Sequence, residues 1–127
     1  MNYHLKTINK KNYLQIIFFG TWNRQNGKQI MNDIFSKVTE TNNKKVLLDF
    51  RQSDYMETST LMDYDEAITA AGFPNIIKYK FASLHRPEEV NRFLFWETVA
   101  VNRGIRIKFF KQEKDATEWL INNAILQ

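Results

Sequence analysis

Residues 45–63, KVLLDFRQSDYMETSTLMD, take the chain from a strand into a helix. The run KVLLDF at 45–50 is apolar on successive residues, which is typical of a parallel strand covered on both faces. A helix is predicted from Leu61 to Ala71, and Gly72 stands where a left-handed C-terminal cap is expected. This segment therefore predicts one strand-to-helix unit of an α/β fold.

The flanking segments extend the same alternation along the chain. Strand-like residues 3–8 and 13–19 are separated by the polar turn 9–12, so they predict a β-hairpin. Hydrophobic periodicity predicts the remaining elements as a helix at 25–41, a strand at 76–84, a helix at 88–103, a strand at 105–110 and a helix at 115–126. We expect one α/β domain over residues 1–127, with a mixed, mostly parallel five-stranded sheet and four helices.

Composition excludes several classes of chemistry. The chain has 127 residues and no cysteine, which removes disulfides, thiolate catalysis and cysteine-bound metals. It has no leader-like N-terminal run and no apolar stretch long enough to span a membrane, so the expected location is cytoplasmic. The net charge of +4 is scattered in ones and twos, which does not favour nucleic-acid binding.

Three short motifs resemble a known family. GTWN at 20–23, LDF at 48–50 and YMETSTL at 55–61 are similar to landmarks of the STAS domains, which include anti-sigma-factor antagonists. In that family a central strand is followed by a turn reading roughly Phe-Met-Asp-Ser-Ser-Gly-Leu and then by a helix. The likeness covers nearly the whole chain. Its C-terminal half resembles the SpoIIAA-like branch, some members of which are compared with lipid-binding domains of the Sec14 type.

The resemblance implies a STAS-like (SpoIIAA-like) fold and a non-enzymatic regulatory function. It further implies docking through the turn at 54–62 onto a kinase-like or anti-sigma-like protein partner. Thr58 matches the serine that regulatory members phosphorylate, and Ser59 is the adjacent candidate, although glutamate, threonine and threonine here replace the family's aspartate, serine and glycine. The implied partner-binding residues are Tyr55, Met56, Glu57, Thr58, Ser59 and Thr60.

The hydroxyl residues of this turn also have a purely structural interpretation. Four amide groups at the start of a helix lack partners within the helix. Thr60, with Asp63 three residues later, fits a capping box that would satisfy two of these amides. That interpretation accounts for Thr60 and leaves Thr58 and Ser59 available for a regulatory phosphate.

A second candidate surface is the helix predicted at 88–103. Phe95, Trp96 and Val99 fall beyond the stripe that a core requires, which predicts an apolar patch for a protein partner, a second copy of the chain, a lipid or a membrane surface. Coverage by a neighbouring loop or by the N-terminal hairpin is the alternative. The patch also motivates a second function, a carrier or sensor of an apolar, lipid-like ligand. Glu97 lies within the apolar sector, where we expect it to pair with a lysine or arginine of an adjacent strand.

The sequence offers few groups for catalysis or metal binding. His4 and His85 are the only histidines, and neither has a metal-binding spacing, so no metal or cofactor is predicted. Glycine-rich phosphate loops and nucleophile elbows are missing from the sequence. An enzyme that uses Glu97 or His85 as acid or base is therefore the third alternative, and we expect no enzymatic activity.

Overall fold

The five strands of the sheet lie side by side in the order in which they occur along the chain. The structure is a computed structural model that describes residues 3–55 and 59–122. The strands are β1 (Tyr3–Asn9), β2 (Leu14–Trp22), β3 (Lys45–Tyr55), β4 (Lys80–Leu84) and β5 (Arg106–Phe110). The helices are α1 (Gly27–Thr39), α2 (Thr60–Ala71), α3 (Val90–Asn102) and α4 (Glu113–Ile121).

The pairing of the strands is mixed and mostly parallel. β1 and β2 form the antiparallel hairpin, and β2, β3, β4 and β5 are parallel to one another. β3 is an interior strand whose side chains enter the hydrophobic cores on both faces of the sheet, which explains why its sequence is apolar on successive residues. The predicted α/β fold with five strands and four helices is confirmed.

The direction of the crossovers decides on which face the helices lie. Because β2, β3, β4 and β5 follow one another in a single direction, three right-handed crossovers place α1, α2 and α3 on the same face. The side chains confirm this arrangement, since Val46, Leu48 and Phe50 of β3 belong to the larger core under these helices. α4 covers the opposite face, where Leu47 meets Ala116 and Leu120.

β3 extends beyond its predicted end. Its pairing with β4 stops at Asp49 and Leu84, whereas its pairing with β2 continues to Trp22 and Tyr55. The unpaired edge of this extension is satisfied by Arg86, whose Nη1 donates to the carbonyl oxygens of Arg51 at 3.1 Å and Ser53 at 2.7 Å. A side chain therefore replaces the missing part of the neighbouring strand.

Two local predictions are wrong. Gly72 caps α2 in a right-handed conformation, with φ −86° and ψ −6°, and the left-handed residue is Asn75, with φ 62°. The strand predicted from residue 76 begins at Lys80, because Ile76–Lys78 form a 3₁₀ helix that starts at Asn75. Asparagine tolerates positive φ better than other non-glycine residues, so the chain reverses there. The end of the helix predicted at 115–126 falls partly outside the described residues.

None of the helices in residues 3–55 and 59–122 combines the length and the hydrophobicity that a membrane crossing requires.

Candidate functional site

The carboxyl ends of three neighbouring strands meet at one edge of the sheet. Trp22 is the last residue of β2, Tyr55 is the last residue of β3, and His85 directly follows β4. Because these strands are parallel, the three aromatic side chains lie at the same end. Clefts outside the carboxyl ends of parallel strands are common binding sites in open α/β sheets.

The turn after β3 begins α2 with a serine cap. Ser59 is exposed and extended, with φ −146° and ψ 164°, and its Oγ accepts a hydrogen bond from the amide of Met62 at 3.2 Å. The N-cap is therefore Ser59, and Thr60 is the first residue of the helix. The predicted capping box of Thr60 and Asp63 is wrong by one residue, because Asp63 turns inward and binds Arg92.

Of the other predicted partner-binding residues, the structure describes Tyr55 in full. Its ring contacts Phe93 edge to face, with centroids 5.3 Å apart, and lies 4.3 Å from the guanidinium carbon of Arg92. Burial raises the pKa of the Tyr55 hydroxyl above its ordinary value. Tyr55 therefore anchors the turn to α3. Met56, Glu57 and Thr58 lie outside the described residues.

Removing the cap should have a measurable cost. We expect Ser59→Ala to lower the free energy of unfolding by about 0.5–2 kcal/mol, because the amide of Met62 loses its acceptor. Urea denaturation followed by circular dichroism measures this change. Thr98→Ala, which removes an exposed hydroxyl from the interior of α3, is the control, and an equal effect of both substitutions would contradict the capping role.

A buried ion pair joins α2 to α3. Two guanidinium nitrogens of Arg92, Nε and Nη2, donate to Oδ1 of Asp63 at 3.2 and 3.0 Å. The side chains are 16% and 8% exposed, so the pair is largely removed from water. Burial raises the pKa of Asp63, and the hydrogen bonds and charge of Arg92 act against that rise.

Glu66 is a second buried carboxyl group on α2. It is 4% exposed, and its Oε2 accepts a hydrogen bond from Nε1 of Trp22 at 3.0 Å. Burial raises the pKa of Glu66 from 4.5 to about 7, and the hydrogen bond from Trp22 opposes this rise. A Cβ on Gly27 would lie 2.1 Å from Oε2 of Glu66 and 2.9 Å from Nε1 of Trp22, so a larger residue there would displace the carboxyl group or the indole.

His85 lies between two phenylalanine rings. It is 2% exposed, and its ring stacks on Phe93 at 3.6 Å and on Phe50 at 5.2 Å between centroids. Its Nε2 shares a 2.6 Å hydrogen bond with Oγ of Ser83. Burial, and secondarily the charge of Arg92, holds the pKa of His85 well below 6.5, so the imidazole is neutral.

These side chains line a cavity of about 90 Å³, partly open to solvent, between the sheet and α1, α2 and α3. Its walls are mainly apolar and aromatic, and residues with polar atoms are a minority. In composition the lining resembles that of small-molecule pockets, which are apolar with few polar groups, but the volume is below their usual range of about 300–1,000 Å³. The lining residues that bear polar or charged groups are Trp22, Tyr55, Glu66, Ser83, His85, Arg92 and Trp96.

The patch predicted on α3 is divided between core and surface. Phe95 is 37% exposed, whereas Trp96 and Val99 are half-buried, and the Trp96 ring lies 6.1 Å from Phe109. Glu97 does not pair with a lysine or arginine as expected. Its Oε1 accepts the backbone amide of Phe109 at 2.8 Å, which satisfies a donor of β5, a strand at the edge of the sheet.

The buried acidic groups of α2 were not predicted as site residues. Asp63 and Glu66 are spaced three residues apart on a helical face that also carries the buried Ala67, which is the available signal. Their partners, Arg92 and Trp22, come from distant segments that spacing alone cannot connect. No group of three histidine, aspartate or glutamate side chains in residues 3–55 and 59–122 is arranged to hold a metal ion.

Comparison with known proteins identifies the fold through structure. No family model matches the sequence, and no curated protein matches it. An anti-sigma factor antagonist from Mycobacterium paratuberculosis superposes with a TM-score of 0.65 at 9% identity, covering 94% of this chain and 95% of that one. An uncharacterised DUF3478-family protein with a SpoIIAA-like fold, from Shewanella loihica PV-4, gives a TM-score of 0.56 at 16% identity, covering 94% of each chain. The chain therefore has the SpoIIAA-like fold that its sequence predicts.

Proposed function

We propose that this chain is a non-enzymatic regulatory domain that docks on a protein partner through the turn at 54–62 and the adjoining part of α2. The observation that carries the proposal is Leu61, which is 71% exposed and lies two residues after the exposed cap Ser59. A large apolar side chain at that exposure, beside a hydroxyl residue in a turn, is suited to insertion into a partner's pocket.

The surface around Leu61 supports a docking face larger than one residue. Tyr64 on α2 is 39% exposed, and Leu94 on α3 is 47% exposed. The two helices pack side by side, and Nη2 of Arg103 donates to the Tyr64 hydroxyl at 3.2 Å. Exposed apolar side chains on adjacent helices are a common feature of protein interaction surfaces.

Charge favours a partner with a basic contact surface. The exposed Asp54 is the first residue of the turn, Glu57 follows it in the sequence of the turn, and the exposed Asp65 lies on α2 just beyond it. A phosphate on Ser59 would add about two negative charges at the start of α2 and would occupy the oxygen that caps the helix. The partner we propose is kinase-like or anti-sigma-like, a class suggested by the anti-sigma factor antagonist of similar fold.

The test is the affinity of a purified partner. Capture from native cells identifies candidate kinase-like or anti-sigma-like proteins, which are then purified and titrated calorimetrically against the chain. We expect Leu61→Asp to weaken binding at least roughly tenfold, because it places a charge in the apolar contact. Ile121→Asp is the matched control, since Ile121 is 40% exposed at the end of α4, on the other face of the sheet.

The regulatory part of the proposal has a separate pair of variants. Ser59→Glu should abolish binding through its charge, whereas Ser59→Ala should leave binding within about threefold of wild type although it removes the same cap. Equal affinity of the wild-type and Leu61→Asp proteins would contradict docking at this turn. Equal affinity of the wild-type and Ser59→Glu proteins would contradict only the phosphate switch at Ser59.

A further inference from the structure

We propose that the cavity at the carboxyl ends of β2, β3 and β4 binds a small neutral ring compound that carries one hydroxyl group, a ligand of the phenol class. In this arrangement the ring lies among the aromatic walls, and the hydroxyl group forms a hydrogen bond with Nδ1 of His85. The site is separate from the docking turn and does not depend on the function proposed for that turn.

The first argument is the size and lining of the space. Protein interiors are packed to the density of organic crystals and contain few voids larger than a water molecule. A cavity of about 90 Å³ is therefore an unusual feature in a chain of 127 residues. An apolar cavity of about 150 Å³ binds benzene in another protein, and the cavity here is smaller, so a single ring is the largest ligand that it can take.

The second argument is hydrogen bonding inside the cavity. In residues 3–55 and 59–122, three buried side-chain atoms lack a hydrogen bond of normal geometry. Two of them, the hydroxyls of Tyr55 and Ser53, interact with each other, which leaves Nδ1 of His85 as the unexplained atom on a residue that lines the cavity. Buried polar atoms are nearly always paired, so this nitrogen needs a partner.

A hydroxyl group suits this site whichever tautomer His85 adopts. Nε2 of His85 shares its hydrogen bond with Ser83, and either atom can supply the proton. Nδ1 is accordingly a donor in one arrangement and an acceptor in the other. A ligand hydroxyl both donates and accepts, and therefore satisfies Nδ1 in both cases.

The charges around the cavity favour a neutral ligand. Arg92, the cationic group in the lining, already binds the carboxylate of Asp63. His85 is held neutral by its burial, and Glu66 retains much of its proton near pH 7. A charged ligand would therefore enter the apolar space without a free counter-charge on these residues, which is costly.

Binding can be followed directly at the two histidines. Protein labelled with ¹⁵N at histidine gives imidazole signals from His4 and His85 alone, since the sequence has two histidines. Titration with phenol should shift the Nδ1 signal of His85 in a saturable way and leave the signals of His4, on the exposed strand β1, unchanged. Absence of a saturable His85 shift would overturn the proposal, because the cavity would then be a packing void closed to phenol.

Toluene, which has nearly the same shape as phenol but no hydroxyl, isolates the hydrogen bond. Phenol loses the hydration of its hydroxyl group on binding, and toluene does not. The informative quantity is therefore the ratio of the affinities for phenol and toluene, compared between the wild-type protein and a variant. We expect His85→Phe to reduce the preference for phenol over toluene roughly tenfold, which is the effect of about one hydrogen bond. His4→Phe is the matched control and should leave the ratio as in wild type.

An unchanged ratio in a folded His85→Phe protein, or binding of toluene without phenol by the wild type, would also overturn the hydrogen bond to His85. If His85→Phe fails to fold, the histidine signals of the wild-type protein during the phenol titration still decide the question.

Discussion

Replacing Arg92 with methionine should lower the free energy of unfolding by about 3–5 kcal/mol, because the substitution leaves a buried carboxylate without its cation. Asp63 is 5% exposed and receives two hydrogen bonds from Arg92. Methionine retains much of the apolar volume that Arg92 places over the Tyr55 ring, so the loss of stability is mainly the effect of removing the guanidinium charge. Urea denaturation at pH 7 measures the change.

Two further proteins separate the cost of an unpaired charge from the contribution of the pair. The double variant Arg92→Met with Asp63→Leu should return to within about 1 kcal/mol of wild type, since apolar residues often replace a buried ion pair at little cost. Arg103→Met makes the same change at the exposed C-terminal end of α3 and should stay within about 0.5 kcal/mol of wild type. A loss below 1 kcal/mol for Arg92→Met would mean that water reaches Asp63.

The course of the sheet could be predicted because it depends on local sequence patterns. The apolar runs at 14–19 and 45–50 identified β2 and β3, two of the three strands that have neighbours on both sides. The helices that follow β2, β3 and β4 were recognised from their periodicity, and right-handed crossovers then leave one arrangement of layers. Where prediction failed, a backbone conformation decided the outcome, as at Asn75, whose positive φ starts a 3₁₀ helix in place of a strand.

The buried site could not be predicted because it is assembled from residues far apart in the chain. Glu66 and its donor Trp22 are 44 residues apart, and Arg92 lies 29 residues from Asp63. Sequence spacing places Asp63 equally well in a helix cap, which is where we expected it. No sequence pattern predicts the cavity, because its volume depends on how closely the side chains of four strands and three helices pack against one another.

Glu66 should make the protein less stable as the pH rises from 4.5 to 7. In the unfolded chain its carboxyl group ionises near pH 4.5, whereas in the folded protein burial raises its pKa to about 7. Below pH 4.5 both states hold the proton and the group has no effect. Between these two pH values only the unfolded chain releases the proton. The contribution of Glu66 to the free energy of unfolding therefore falls by about 3 kcal/mol and does not change further above pH 7.

Glu66→Gln removes this titration while keeping an oxygen that can accept from Trp22. We expect the variant to gain up to about 3 kcal/mol relative to wild type between pH 4.5 and 7, measured by urea denaturation at each pH. His85 contributes the opposite slope, because the unfolded chain takes up a proton below pH 6.5 that the folded protein excludes. That contribution is common to both proteins and cancels in their difference. Glu118→Gln, at an exposed position of α4, is the control, and its free energy of unfolding should differ from that of wild type by the same amount at every pH. A difference that is likewise independent of pH for Glu66→Gln would show that the Glu66 carboxylate ionises without penalty in the folded state.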